Sequence, residues 1–221
     1  MIEGNLISKV ISGDESDPKA RIAKAAIEEF ALRSLDGARI REIAKKSGTN
    51  VAAISYHFGG KRELYKSVVA EMSSFFDDAV KPYYEEGDAV ILQNDPDAAM
   101  RLARKFLIES IRKFSEVKIV SSLCLIMARE TASPSEYFKY VYDSIYQRPV
   151  QFISGLLIAA AKGKLAKDIS IVFAQALWSN VRSYSSKTEA VMKLHSWTEL
   201  GEAEIKTIDT ALKKVLEKTL K

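Results

Sequence analysis

The chain has 221 residues, 47% hydrophobic and 28% charged, with a mean hydropathy close to zero. That composition excludes a disordered or collagen-like chain, and no apolar run approaches the roughly 18 residues needed to span a bilayer. The net charge of +4 is unevenly spread: residues 17–62 hold ten Lys/Arg against five acids, and the rest of the chain sums to −1.

A basic first quarter on a near-neutral body is the electrostatic footprint of a small nucleic-acid-binding module. One cysteine, Cys124, excludes an internal disulfide framework. Two distant histidines, His57 and His195, leave almost no donors for a His/Cys metal site, so neither metal nor cofactor is expected. The opening MIEGNLISKV lacks the basic start and long apolar stretch of a secretory signal. A cytoplasmic protein with no membrane partner is expected.

In chain order, residues 1–16 read as an extension. Asp17-Pro18 then supplies a cap followed by proline at the first helical position, where a missing N–H costs nothing. Ile22, Ala26 and Phe30 recur at helical spacing up to a stop near Asp36-Gly37. Short helices are expected over 40–46 and 50–56, separated by Ser47-Gly48. After Gly59-Gly60 a long helix runs from Lys61 toward Tyr84. Residues 85–95, EEGDAVILQND, read as a flexible connection. Asp95-Pro96 opens a helix through about Phe114, and further helices are expected over 117–131, 134–147, 149–162, 168–185 and 202–219. No alternating run suggests a strand. The chain is therefore read as all-α.

The stretch 40–58, IREIAKKSGTNVAAISYHF, carries the function. Ala44 is small where two helices must cross closely, and Gly48 permits a left-handed turn. Ile54, with Ile43 and Val51, forms the small core between the helices. This small–Gly–apolar spacing is the sequence form of a helix-turn-helix whose second helix enters the major groove. Thr49-Asn50 can cap that helix and aim its N-terminus at phosphates. Thr49, Asn50, Ala52, Ala53 and Ser55 are short, which allows close approach to base edges. Tyr56, His57 and Lys61 can donate to phosphates, and Phe58 packs in the core.

The block from Asp17 to about Val69 resembles the DNA-binding domain of TetR-type repressors. The resemblance rests on Phe30, Gly37, Ile43-Ala44, Gly48, Ile54-Ser55-Tyr56-His57-Phe58, Lys61, Leu64 and Tyr65. One position departs from the pattern: Arg39 stands where many relatives cap the first helix of the motif with Thr or Ser. That removes a cap contributing about 1 kcal/mol and leaves a guanidinium that can meet a phosphate instead. From residue 117 onward, LIMARETASPSEYFKYVYDSIYQRPVQFISGLL and the ending WTELGEAEIKTIDTALKKVLEKTL resemble the CecR-like branch. The resemblance implies a three-helix N-terminal domain, 17–62, and a larger helical domain, 63–221. It also implies binding of double-stranded DNA, a four-helix homodimer interface built from the last two long helices, and an inner cavity for small inducers.

The residues of the body speak to the same points independently. In the last helix Ile205, Ile208, Leu212, Val215 and Leu216 make a narrow apolar stripe. The helix over 168–185 is apolar nearly all round and must be covered on more than one side. An aromatic stripe, Phe138, Tyr142 and Tyr146, either packs as core or lines a pocket. Arg129, Tyr142, Tyr146 and Trp178 are the candidate effector-binding residues, with Arg129 and Glu130 also able to pair with each other. No nucleophile elbow, phosphate-cradling glycine loop or His-centred acid–base pair points to an enzyme. The expected function is a DNA-binding repressor released from a palindromic operator by a small molecule. The alternative is the same DNA-binding dimer controlled by a protein partner.

Overall fold

A computed structural model describes residues 6–219 and is helical throughout, with no strand among the described residues. The helices are α1 (Leu6–Ser12), α2 (Pro18–Gly37), α3 (Ile40–Lys46), α4 (Val51–Phe58), α5 (Lys61–Leu92), α6 (Pro96–Ser115), α7 (Val120–Ala132), α8 (Phe138–Val141), α9 (Arg148–Ala160), α10 (Lys167–Ser185), α11 (Glu189–His195) and α12 (Glu202–Thr219). A π-helical segment, Tyr142–Gln147, joins α8 to α9. The chain forms two compact units. One comprises the chain up to Asp77 together with Lys118–Ile145; the other comprises Asp78–Val117 together with the chain from Tyr146 onward.

In the first unit α2 is the central element, touched by α1, α3 and α7. Its start follows the sequence signal, with Asp17 accepting from Lys19 N–H at 2.8 Å ahead of Pro18. Asp17 also pairs with Lys9 at 3.0 Å, and that hydrogen bond holds its carboxyl below the ordinary aspartate range. The helix α1 has no counterpart in the sequence expectation, which left 1–16 as an extension; residues 1–5 lie outside the described residues. It forms because Ile7 and Val10 bury against this unit and Leu6 N–H donates to Glu71 Oε2 at 3.0 Å. Ile22, Ile27, Phe30, Ile43, Ile54, Leu64, Met72 and Leu123 fill the core.

In the second unit α6, α9 and α10 pack on one another and α12 lies on α6. Arg112 spans α6 to α12 through two bonds to Glu202, at 2.9 and 3.0 Å, and Arg104 meets Asp209 at 2.9 Å. The expected flexible connection over 85–95 is instead helical as far as Leu92. Gly87 reads as a breaker in sequence, yet a Cβ there would lie 2.2 Å from the Phe152 ring. It is glycine because an aromatic ring packs on the helix backbone, and that packing, with Tyr83 and Val90 against the Ala99–Leu102–Leu156 cluster, holds the helix. The helix expected over 134–147 is also altered: it begins only at Phe138 and winds as π from Tyr142. Pro149 has no N–H to donate to the carbonyl four residues back, so the ordinary ladder cannot continue through this point.

Candidate functional site

The turn between α3 and α4 is built by small groups. Ala44 is buried at the crossing, Gly48 adopts φ +64°, and Thr49 N–H donates to Ala44 O at 2.9 Å. Ser47 Oγ donates to the same carbonyl at 3.1 Å and lies 2.8 Å from Thr49 Oγ1. Of the two cap candidates it is therefore Asn50 that caps α4, its Oδ1 accepting from Ala53 N–H at 2.8 Å. Gly59, at φ +81°, closes the other end.

Ile54 is the buried residue of α4 and is fully enclosed. Val51, expected in the same core, is instead 38% exposed. A helix of eight residues with one buried position leaves the residue one turn earlier at the rim of that contact. The outward face holds Asn50, Ala52, Ser55 and Tyr56, with Thr49, Ala53, His57 and Phe58 half-buried. Tyr56 is 86% exposed, its ring edge-on to His57 at 5.1 Å. A short helix with small outward residues and an open N-terminus can approach an anionic, grooved surface closely.

Arg39 occupies the N-cap of α3 with an exposed side chain that makes no cap bond. The N–H of Arg39 itself is met from α2: Glu29, 2% exposed, accepts from it at 3.3 Å. The same carboxylate meets Arg33 Nε at 3.2 Å and Lys46 Nζ at 3.5 Å. One buried acid thus ties α2 to both ends of α3. Sequence reasoning missed it, although position 29 lies one helical repeat beyond Ile22 and Ala26 on the buried face. Lys61 Nζ donates to Asp36 O at 3.2 Å and Ala38 O at 3.1 Å, which fixes the α2–α3 loop. An ammonium has three protons, so one remains for an outside acceptor.

A second polar cluster secures the far end of α2. Ser34 sits inside that helix at φ +63°, a kink that interrupts the backbone ladder. Arg129 answers it, donating to Phe30 O at 2.6 Å and Leu32 O at 3.2 Å. Glu130, 4% exposed, accepts from Tyr65 Oη at 2.6 Å and from Ser135 Oγ and N–H at 2.8 and 3.2 Å. Burial, and then the Glu130 carboxylate, push the Tyr65 phenol well above the ordinary range. Arg129 and Glu130 therefore bond to separate partners.

Of the four candidate effector residues, Arg129 and Tyr142 fall in the first unit, Tyr146 and Trp178 in the second. Tyr142 is 44% exposed beside Phe138, at 5.6 Å between rings. Trp178 is buried and stacked on Phe106 at 5.5 Å. Tyr146 lies under the Arg182 guanidinium, 4.5 Å from ring centre to Cζ, and its hydroxyl accepts from Arg182 Nη1. A groove of about 260 Å³ on the second unit is lined by Phe173, Asn180 and Tyr184 of α10 and by Ala211, Leu212 and Val215 of α12. Among the described residues no group of three or more His, Cys, Asp or Glu is placed to hold a metal ion.

Residues 22–68 match the bacterial regulatory proteins of the tetR family, and residues 107–221 match the C-terminal domain of the HTH-type transcriptional dual regulator CecR. The chain belongs to the TetR family. It is a DNA-binding transcriptional regulator of that family. Over 205 residues it is 26% identical to the dual regulator CecR of Shigella flexneri, covering 90% of this chain and 88% of that protein. An HTH-type transcriptional repressor of Streptomyces coelicolor is 43% identical over 56 residues, 25% of this chain and 29% of that one. A solved TetR-like regulator from Rhodococcus shares the fold at a TM-score of 0.61 with 14% identity, covering 90% and 96% of the two chains. The hemolysin II regulator HlyIIR does so at 0.52 with 21% identity, covering 84% and 99%. TetR-family regulators bind DNA and act as dimers. No helix of the described residues is long and apolar enough to cross a membrane.

Proposed function

We propose that this TetR-family regulator is a homodimeric repressor that reads a palindromic operator and leaves it when a small-molecule effector binds. Residues 17–62 act as the DNA-reading module and 63–221 as the dimerising, effector-responsive part. The observation that carries the reading is the outward face of α4, where Asn50, Ala52, Ser55 and Tyr56 are exposed on a helix anchored from behind by Ile54. Short residues meet base edges, while Tyr56, His57, Arg39 and the remaining proton of Lys61 hold phosphates. The Streptomyces coelicolor relative, matched over 56 residues, is a repressor, while the Shigella flexneri relative matched over 90% of the chain is a dual regulator.

A second copy covers the apolar groove of α10 and α12, where Val215 is 45% exposed in the single chain. Two copies related by a twofold axis present two α4 helices to half-sites about 34–36 Å apart. Effector binding favours a conformation with the wrong spacing, which is a population shift between two states. The chain passes between the two units within α5, between α6 and α7, and within the π segment. Inserting about half a helical turn of DNA between the half-sites should abolish tight binding. Equal affinity for the spaced and natural sites would remove the dimeric reading.

A further inference from the structure

The second unit contains a polar cluster that its own residues do not satisfy. Phe106 stacks on Trp178, and Lys187 Nζ donates to Ser115 O at 2.5 Å; both pairs are 72 residues apart. The constant offset means that α6 and α10 run parallel in one register, which sets Ser110 level with Arg182. Ser110 is 2% exposed and Ser185, one turn beyond Arg182, is 3% exposed. Ser110 Oγ, Ser185 Oγ and Arg182 Nε are buried and have no hydrogen-bond partner among the described residues. Such groups are rare in a folded protein and call for an explanation.

The charge at this place is also uncompensated. Arg112 and Arg104 in the same unit each lie against carboxylates. Arg182, by contrast, meets the Tyr146 ring and hydroxyl and Ser179 Oγ at 3.4 Å, with no carboxylate in an ion pair with it among the described residues. A second guanidinium, Arg148, lies over the Tyr84 ring at 4.5 Å in the same unit and adds positive potential. Phe106 and Trp178, one turn away from Ser110 and Arg182, add a buried apolar stack beside them. A guanidinium offers paired N–H groups that match a carboxylate, and hydroxyls beside it can donate to the same oxygens.

We propose that Arg182, Ser110 and Ser185 form the binding site for the carboxylate of a small organic acid, which displaces the Tyr146 hydroxyl from Arg182. The assignment rests on the effector-responsive reading and gives it a ligand class. Tyr146 belongs to the π-helical segment, a winding that recurs at functional sites, so its release has a ready means of altering the backbone there.

The test uses the full chain with Trp197→Phe, which leaves Trp178 as its one tryptophan. The probes are the sodium salts of acetate, octanoate and benzoate, with octanamide, octylamine and inorganic phosphate as comparisons. At least one of the organic carboxylates should shift Trp178 emission and raise Tm, while octanamide, octylamine and phosphate do neither. Arg182→Met should weaken that binding at least about tenfold, with Arg182→Lys intermediate because it keeps the charge and loses the fork. Arg182→Met should also leave Tm unchanged or raise it, since it removes a partly buried charge with no counter-ion.

No response to any of the carboxylates, equal binding of octanamide or phosphate, or binding that survives Arg182→Met would overturn the proposal. So would a fall in Tm of more than about 5 °C in Arg182→Met, which would mark a structural role. A gel-shift assay on the DNA upstream of the gene, run with the same preparation, separates the two levels. DNA binding without carboxylate binding sinks the site alone. Carboxylate binding without DNA binding sinks the regulator reading and leaves the site.

Discussion

Buried polar clusters in the two units differ in how they are partnered, although the second unit also holds a satisfied pair in Ser154 and Ser170. In the first, Glu29 and Glu130 are nearly enclosed, and each is bonded from several sides, to Arg39 N–H, Arg33 and Lys46 or to Tyr65 and Ser135. In the second, Ser110 Oγ, Ser185 Oγ and Arg182 Nε have no hydrogen-bond partner among the described residues. A fully satisfied network fixes one geometry, as a helix that reads DNA by position requires. An unsatisfied one is a standing cost that a ligand can remove, as an effector site requires. Under the proposed function, this contrast is what separates a fixed reading helix from an effector-responsive body.

Substitutions can break this comparison or sharpen it. Ile54→Ala should have the largest effect, about 2–5 kcal/mol from the lost contact and the cavity beneath α4, and should abolish specific DNA binding. Thermal unfolding and a gel shift would both register it. Glu130→Ala should cost about 1–3 kcal/mol because it strands the Tyr65 hydroxyl and Ser135 in a buried site. An unchanged Tm would mean that the network holds nothing in place.

Tyr56→Phe and Lys61→Ala should weaken DNA binding across all sequences by about 1 kcal/mol each. Lys61→Ala should also reduce the salt slope by about one unit. A slope that does not change would confine Lys61 to its two loop carbonyls.

A pH titration addresses α12. Arg112 holds the Glu202 carboxyl below its ordinary value. The stabilisation from a group lowered in this way is present above its unfolded pKa and is lost as pH falls through the folded one. The clamp between α6 and α12 should therefore loosen below about pH 4.5, visible as a small drop in Tm that is absent in Glu202→Gln. Ser110→Ala should have the smallest effect on stability, near zero or slightly positive, because the hydroxyl it removes has no partner. A loss comparable to that of Glu130→Ala would erase the contrast between the units.

The reader was largely legible in sequence. Ala44, Gly48 and Ile54 act locally, through close crossing, a positive φ and one apolar contact, so their spacing carries the fold of the turn. Asp17-Pro18 and Asp95-Pro96 mark helix starts for the same local reason. What sequence could not show depended on partners far along the chain. Gly87 signals a break until Phe152 is placed against it, and the short α1 and α11 depend on capping and tethering contacts such as Leu6 with Glu71 and Thr188 with Val191. In sequence Arg129 reads as a candidate effector residue; its bonds to Phe30 O and Leu32 O depend on the kink at Ser34, which no residue pattern announces. Arg182 went unnoticed because a missing counter-ion is visible only in three dimensions.

The most direct test of the account is salt-dependent binding of the full chain to the DNA upstream of its own gene, against excess bulk DNA. The account predicts tight binding to one palindromic fragment, a steep fall with salt, and loss on Ile54→Ala. Weak binding that is indifferent to sequence, unaffected by Tyr56→Phe and with a salt dependence unchanged by Lys61→Ala, would contradict it.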